Sequence, residues 1–220
     1  MRFPKVKRGI AKIYLAEILS LVAIIPSTIV MFIPASSKDM LKGDTITQTA
    51  PGVIVIICSV LALLLFIGSA VLGLMGYASA AKEEGNFRNA FFLIIAGAVF
   101  MLVANILQSA GVPGFIPYFF TSLSQLMDLM VTVFTILGLI RLSVLYNDVR
   151  MIQKGTALYK LLIFIYVPAV IAHFLASLFS GSVVTALLVA ILIIASMILS
   201  IVSSVLYMIY LYKAHEMLEE

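Results

Sequence analysis

The chain is poor in the residues from which catalytic sites are built. It holds two histidines, one cysteine and no tryptophan, and only 11% of its 220 residues are charged. A single cysteine excludes an intrachain disulfide and a thiolate metal cluster, and Cys58 lies in an apolar run as a small packing residue. The histidines, His173 and His215, fall on opposite sides of a membrane in the span assignment below, so they cannot share a metal ion. HExxH is absent, and the glycine patches GLMG (73–76) and GVPG (111–114) lack both a preceding strand and the Lys-Ser/Thr that completes a phosphate loop. An intramembrane aspartyl protease needs two deep carboxylates, and Asp128 alone is available. Ser177 shares a helix face with His173, but no hydrolase motif surrounds them. An enzyme is not the expectation, and neither a metal nor a cofactor is expected.

What the chain has in excess is apolar surface: 63% of its residues are hydrophobic, with a mean hydropathy of +1.20. Soluble domains are about 45–50% apolar and about 25% charged, so no water-soluble core of this size hides that much. The composition predicts an all-α polytopic membrane protein, residues 1–220 forming a single transmembrane domain. A bilayer core of about 30 Å takes about 20 helical residues. Six segments qualify: 13–34, 52–79, 90–109, 119–145, 159–180 and 183–212. Polar or turn-forming stretches separate them, including 36–52, 82–89, GVPG, 147–156 and Ser180-Gly181-Ser182. The N-terminal MRFPKVKRG resembles the basic region of a signal peptide. The apolar run that follows exceeds the usual 7–15 residues, which favours an uncleaved first span.

Basic residues set the orientation. Arg2, Lys5, Lys7, Arg8, Lys12, Lys82, Arg88, Arg141, Arg150, Lys154, Lys160 and Lys213 fall on one side, and only Lys38 and Lys42 on the other. Twelve against two predicts that both termini face the cytoplasm of a prokaryotic plasma membrane. The net charge of +4 then reflects topology and contact of the basic N-terminus with anionic lipid headgroups, not nucleic acid. The acidic end of YLYKAHEMLEE is expected to project past the membrane, where it can meet a basic partner. A weak repeat underlies the spans. Gly9, Gly85 and Gly155 precede odd-numbered spans, and Tyr77, Tyr146 and Tyr212 end even-numbered ones, as three parallel hairpins would require.

Without a hydrophobic drive between helices in lipid, small residues mark close contacts. Span two presents Ser59, Ala62, Ser69, Gly73, Gly76 and Ala80; span six presents Ser196, Ser200, Ser203 and Tyr207; span four presents Thr121, Gln125, Asp128, Thr132 and Thr135. Helices two, four and six are therefore expected inside. Of these residues, Ser69, Gly73, Gly76, Ser196, Ser200 and Ser203 are the candidate packing positions.

Charges within spans are functional candidates by default, because each costs about 2.5–3.5 kcal/mol on the insertion scale. Asp128 lies about 12 Å and His173 about 10 Å from the outer surface by helical rise, so the two can pair beneath an outward cavity. Gln125 and Asn105 are candidate co-lining groups. Glu17 and Arg141 are about equally deep from the cytoplasmic end, which allows a structural ion pair. The expected function is binding or transport of a small solute or ion. The alternative is a non-transporting subunit or scaffold, as a homo-oligomer or in a membrane complex, that docks partners through the small-residue faces. Six spans with both ends inside is similar in architecture to the substrate-capturing subunits of energy-coupling-factor vitamin transporters. Their small-residue coupling motif in the first span has no clean counterpart here, since Ala11 and Ala16 are five apart.

Overall fold

The structure is a computed structural model that describes residues 3–32, 50–112, 115–178 and 201–219. Most of the polar loop 35–52, the hairpin 180–182 and the positions Ser196 and Ser200 lie outside the described residues. So do the side chains of residues 167–178, His173 among them. Helix is the only regular structure among the described residues: α1 (Pro4–Phe32), α2 (Ala50–Ala80), α3 (Gly85–Ser109), α4 (Phe115–Leu145), α5 (Val149–Leu178) and α6 (201–217). The first four are long and apolar enough to cross a membrane. Several helices outrun the apolar segments. Pro4 opens α1 at a position where a missing N–H is harmless, and the helix-favouring Lys and Arg that follow carry it into the first apolar run.

The chain divides into two compact units, Ala11–Gly76 and the remainder, Met1–Ile10 with Tyr77–Glu220. In the first unit, α1 and α2 meet through small residues. Ser69 Oγ donates a hydrogen bond of 2.8 Å to the Ala16 carbonyl. A Cβ on Gly73 would lie 3.7 Å from Ala16 Cβ, and one on Gly68 would lie 3.7 Å from Leu19 Cδ1. Close approach of this kind replaces the hydrophobic drive that lipid removes.

In the second unit, α3 and α4 run antiparallel. The register is read from facing residues: Phe87 against Gly138, Gly97 against Met127 and Asp128, and Phe100 against Phe120 with ring centres 6.2 Å apart. Ser124 Oγ ties the pair by donating to the Gly97 carbonyl at 3.1 Å. Half of α4's apolar stretch is buried, against 17% of α3's, so α4 is the central helix of the two. Gly111 ends α3 with φ 72° and Asn147 ends α4 with φ 56°, left-handed positions that suit glycine and asparagine. Beyond each, an amide reaches back to close the last turn: Val112 to Leu107 at 3.1 Å and Asp148 to Ser143 at 2.9 Å.

The tightest packing gathers at the end of this unit that carries Arg141, Arg150, Lys154 and Lys213, hereafter the basic end. Val6, Ile10, Phe87, Ile136, Leu139, Leu142, Leu162, Leu211 and Leu218 are all essentially inaccessible there. Buried hydroxyls accompany them: Tyr77 shares hydrogen bonds with Thr135 at 3.0 Å and Tyr207 at 3.5 Å. Ser203 is fully buried. Farther along the helices, large apolar residues such as Phe92, Leu102, Ile106 and Phe164 are exposed, as lipid-facing surface would be.

The glycines and tyrosines that suggested a repeat have unlike surroundings. Nothing lies within 4 Å of a Cβ built on Gly85, whereas one on Gly155 would strike the Tyr210 hydroxyl and come within 2.6 Å of Ile140 Cγ1. Tyr77 is buried and Tyr212 is half-exposed. Gly155 is thus the point where α4, α5 and α6 come together. The Tyr210 hydroxyl held there has no hydrogen-bond partner among the described residues. The neighbouring Ser143 hydroxyl donates to the Leu139 carbonyl.

Gly155→Ala is expected to overpack this junction by about 1–3 kcal/mol and to lower the melting temperature in detergent. Gly85→Ala should leave it unchanged or slightly higher. Adding Tyr210→Phe to Gly155→Ala should recover part of the loss, because the two changes share one contact. A Gly155→Ala protein as stable as wild type would contradict the packing described.

Candidate functional site

Asp128 stands on α4 where that helix passes Gly97 of α3. Its Oδ1 lies 3.5 Å from where a Cβ on Gly97 would sit, and Met127 Cβ only 3.2 Å from it. Glycine therefore leaves the notch that the carboxylate borders. The other side of Asp128 is exposed. No hydrogen bond or ion pair to its side chain occurs among the described residues. Gln125, three residues earlier and so on the adjoining helix surface, is half-buried.

The polar stripe around Asp128 is mostly satisfied within its own helix. The hydroxyls of Thr121, Thr132 and Thr135 donate to the carbonyls of Pro117, Asp128 and Val131, each four residues back. Their side chains therefore offer less to a ligand than their number suggests. Asn105 lies in an apolar groove of about 560 Å³ along α3, with Ala98, Met101, Leu102, Ile106 and Ser109. Eight residues from Gly97, it is about 12 Å along the helix from the level of Asp128. Asp128 and Gln125 thus come together, whereas Asn105 stands apart. His173 lies in α5, and its side chain is outside the described residues. Glu17 is half-buried on α1 in the hairpin unit.

The other expected intramembrane charge, Arg141, finds a carboxylate that sequence reasoning passed over. Its Nη1 is 3.6 Å from Glu84 Oε1. Glu84 caps α3: its backbone is extended (φ −139°, ψ 128°), and its side chain accepts from the Asn86 and Phe87 amides at 2.7 and 3.1 Å. Asn86 Nδ2 adds a third bond at 2.9 Å. The carboxylate is buried, while the Arg141 side chain remains 69% exposed. Gly138 makes the approach possible, since a Cβ there would lie 2.9 Å from both Glu84 Oε2 and the Phe87 ring.

The same device recurs at the basic end. Glu83 Oε2 accepts from the Lys5 and Val6 amides at 2.9 Å each, capping the first turn of α1. Asp148 Oδ1 accepts from the Arg150 and Met151 amides at 3.0 Å each, capping α5. Three helices begin here, and each begins on a carboxylate, where the aligned peptide dipoles favour negative charge. The sequence signal for Glu84 was an acid directly before Gly85 and an apolar run. Glutamate is an uncommon cap, so an acid before a glycine does not by itself mark a helix start.

Glu84→Ala should cost about 2 kcal/mol, because it leaves one buried and one half-buried amide without acceptors. Glu84→Gln keeps an acceptor and should lose less than half of that. Arg141→Ala should lose little, because an exposed partner contributes about 0–1 kcal/mol. Melting temperatures of the three variants in one detergent give the order. Arg141→Ala matching Glu84→Ala would mean that the ion pair, not the cap, holds this corner.

No family model, curated protein or solved structure matches this chain.

Proposed function

We propose that this chain is a six-span protein of a prokaryotic plasma membrane, with its basic end in the cytoplasm, that binds or carries a small solute or ion at a site centred on Asp128. Four helices with the length and apolarity of spans, two further apolar segments and the twelve-to-two distribution of Lys and Arg support the topology.

One observation carries the site: a carboxylate on a long apolar helix, beside a notch left by Gly97, with no partner among the described residues. Contrast with Glu84 gives this weight. A charge needed for folding is surrounded by donors, as Glu84 is. A charge kept at membrane depth without donors costs stability and is retained for what it binds. Gln125 is the neighbour best placed to share a ligand with it, and His173 remains a candidate from α5.

The scaffold reading relied on the small-residue stripes as docking faces. Ser69 and Gly73 are already engaged with Ala16, and Ser203 is buried, which leaves these faces less to offer a partner. The exposed side of Asp128 still suits a polar residue from another membrane subunit, and this is the second reading.

Native mass spectrometry of the protein extracted mildly from its host membrane separates the two. The expected result is a co-purifying small molecule or ion that Asp128→Asn loses, with a melting temperature equal to or above that of wild type. A stoichiometric protein partner with no small ligand would favour the second reading. An Asp128→Asn protein that keeps its ligand would end the proposal.

A further inference from the structure

The turn between α4 and α5 and the final turns of α6 border an open cavity of about 640 Å³ at the basic end, whose walls include Tyr146, Asn147, Arg150, Lys154, Lys213 and Glu216. Lys154 and Lys213 belong to different helices and face the same space. Their ammonium groups are close enough that Lys213, as polar neighbour and then as like charge, holds the Lys154 pKa below its ordinary value, with Arg150 adding to the effect.

The carboxylates nearby offset this repulsion only in part: Asp148, on the same cavity wall, acts on Lys154 more weakly than Lys213 and Arg150 do and forms no ion pair with either lysine among the described residues. Asp148 is engaged by the α5 amides, and Glu219 is bound to Lys7 Nζ at 3.0 Å. Glu216 forms no ion pair with either lysine among the described residues. Two ammonium groups held together without a contacting counter-ion repel each other, and an anion between them removes that repulsion.

We propose that this cavity binds a phosphate-bearing anion, clasped between Lys154 of α5 and Lys213 of α6, with Arg150 at its rim. Lysine acts on phosphate as a point charge, and the arginine fork can add two parallel hydrogen bonds. Asn147 and Tyr146 supply further donors. Such a ligand would bridge α5 and α6 at their charged ends and fix their spacing. The phosphate has two possible sources, a phospholipid headgroup or a soluble phosphate. Exposed apolar residues of α6, Val205, Leu206 and Ile209, lead up to Lys213 and would suit the chains of a lipid.

The test uses the full chain in a non-ionic detergent. Native mass spectrometry with added phosphatidylglycerol reads the lipid arm, and the melting temperature with millimolar inorganic phosphate reads the soluble arm. For a lipid headgroup, phosphatidylglycerol binding should fall about tenfold in Lys154→Gln with Lys213→Gln, equivalent to about 1.4 kcal/mol, and persist in Lys82→Gln. For a soluble phosphate, inorganic phosphate should raise the melting temperature of wild type but not of the double variant. Lys154→Glu guards against misfolding: paired with Lys213, it should melt no lower than wild type and still lose the anion. Equal lipid binding by all these proteins, with no phosphate-dependent rise in melting temperature, would overturn the proposal.

Discussion

The packing of the basic end depends on one buried carboxylate. Glu84 accepts two amides at the start of α3 and a side-chain amide from Asn86, and it lies beside Arg141. Because α3 starts there, Phe87 is brought against Gly138, which sets the register of α3 on α4. Gly97 then falls opposite Ser124 and Asp128. The first amides of a helix have no partner within it, and where they are buried, as the Phe87 amide is, the acceptor must come from the protein. Glu83 and Asp148 meet the same requirement for α1 and α5. The preceding turn thereby becomes part of the helix that follows it.

Three sets of carboxylates and cations on this chain have different fates, and the difference is informative. Glu84 is buried and saturated with donors. Asp128 is exposed beside a glycine notch, without a donor among the described residues. Lys154 and Lys213 face a shared cavity without a contacting counter-ion. Saturation marks a group that serves the fold. Lack of it, on an apolar helix or between two like charges, marks a group whose partner is not supplied by the neighbouring side chains.

The helical class, the apolar stretches and the charge asymmetry were legible in the sequence because they are one-dimensional properties. The hairpin contact of Ser69 and Gly73 with Ala16 was half legible: small residues at helical spacing announce a close neighbour but do not name it. The site was less legible. Thr121, Thr132 and Thr135 read as a polar stripe, yet each hydroxyl bonds to its own helix, a local choice that periodicity does not reveal. Asn105 shares the polarity but lies about 12 Å along α3 from the level of Asp128. Arg141 invited a partner from another span, and the acid beside it came from the turn before α3. The three glycines of the proposed repeat share a spacing but not an environment, since one faces open space and another touches Tyr210.

Asp128 and Glu84 differ in their access to water, and aqueous carboxylate labelling reads that difference directly. A water-soluble carbodiimide with a small amine is applied to the protein in its membrane, and modified peptides are identified by mass spectrometry. Asp128 should react and Glu84 should be spared, because one borders an open notch and the other is buried under its own donors. Asp128 as unreactive as Glu84 would contradict the account, since a solute or ion could not reach it from water.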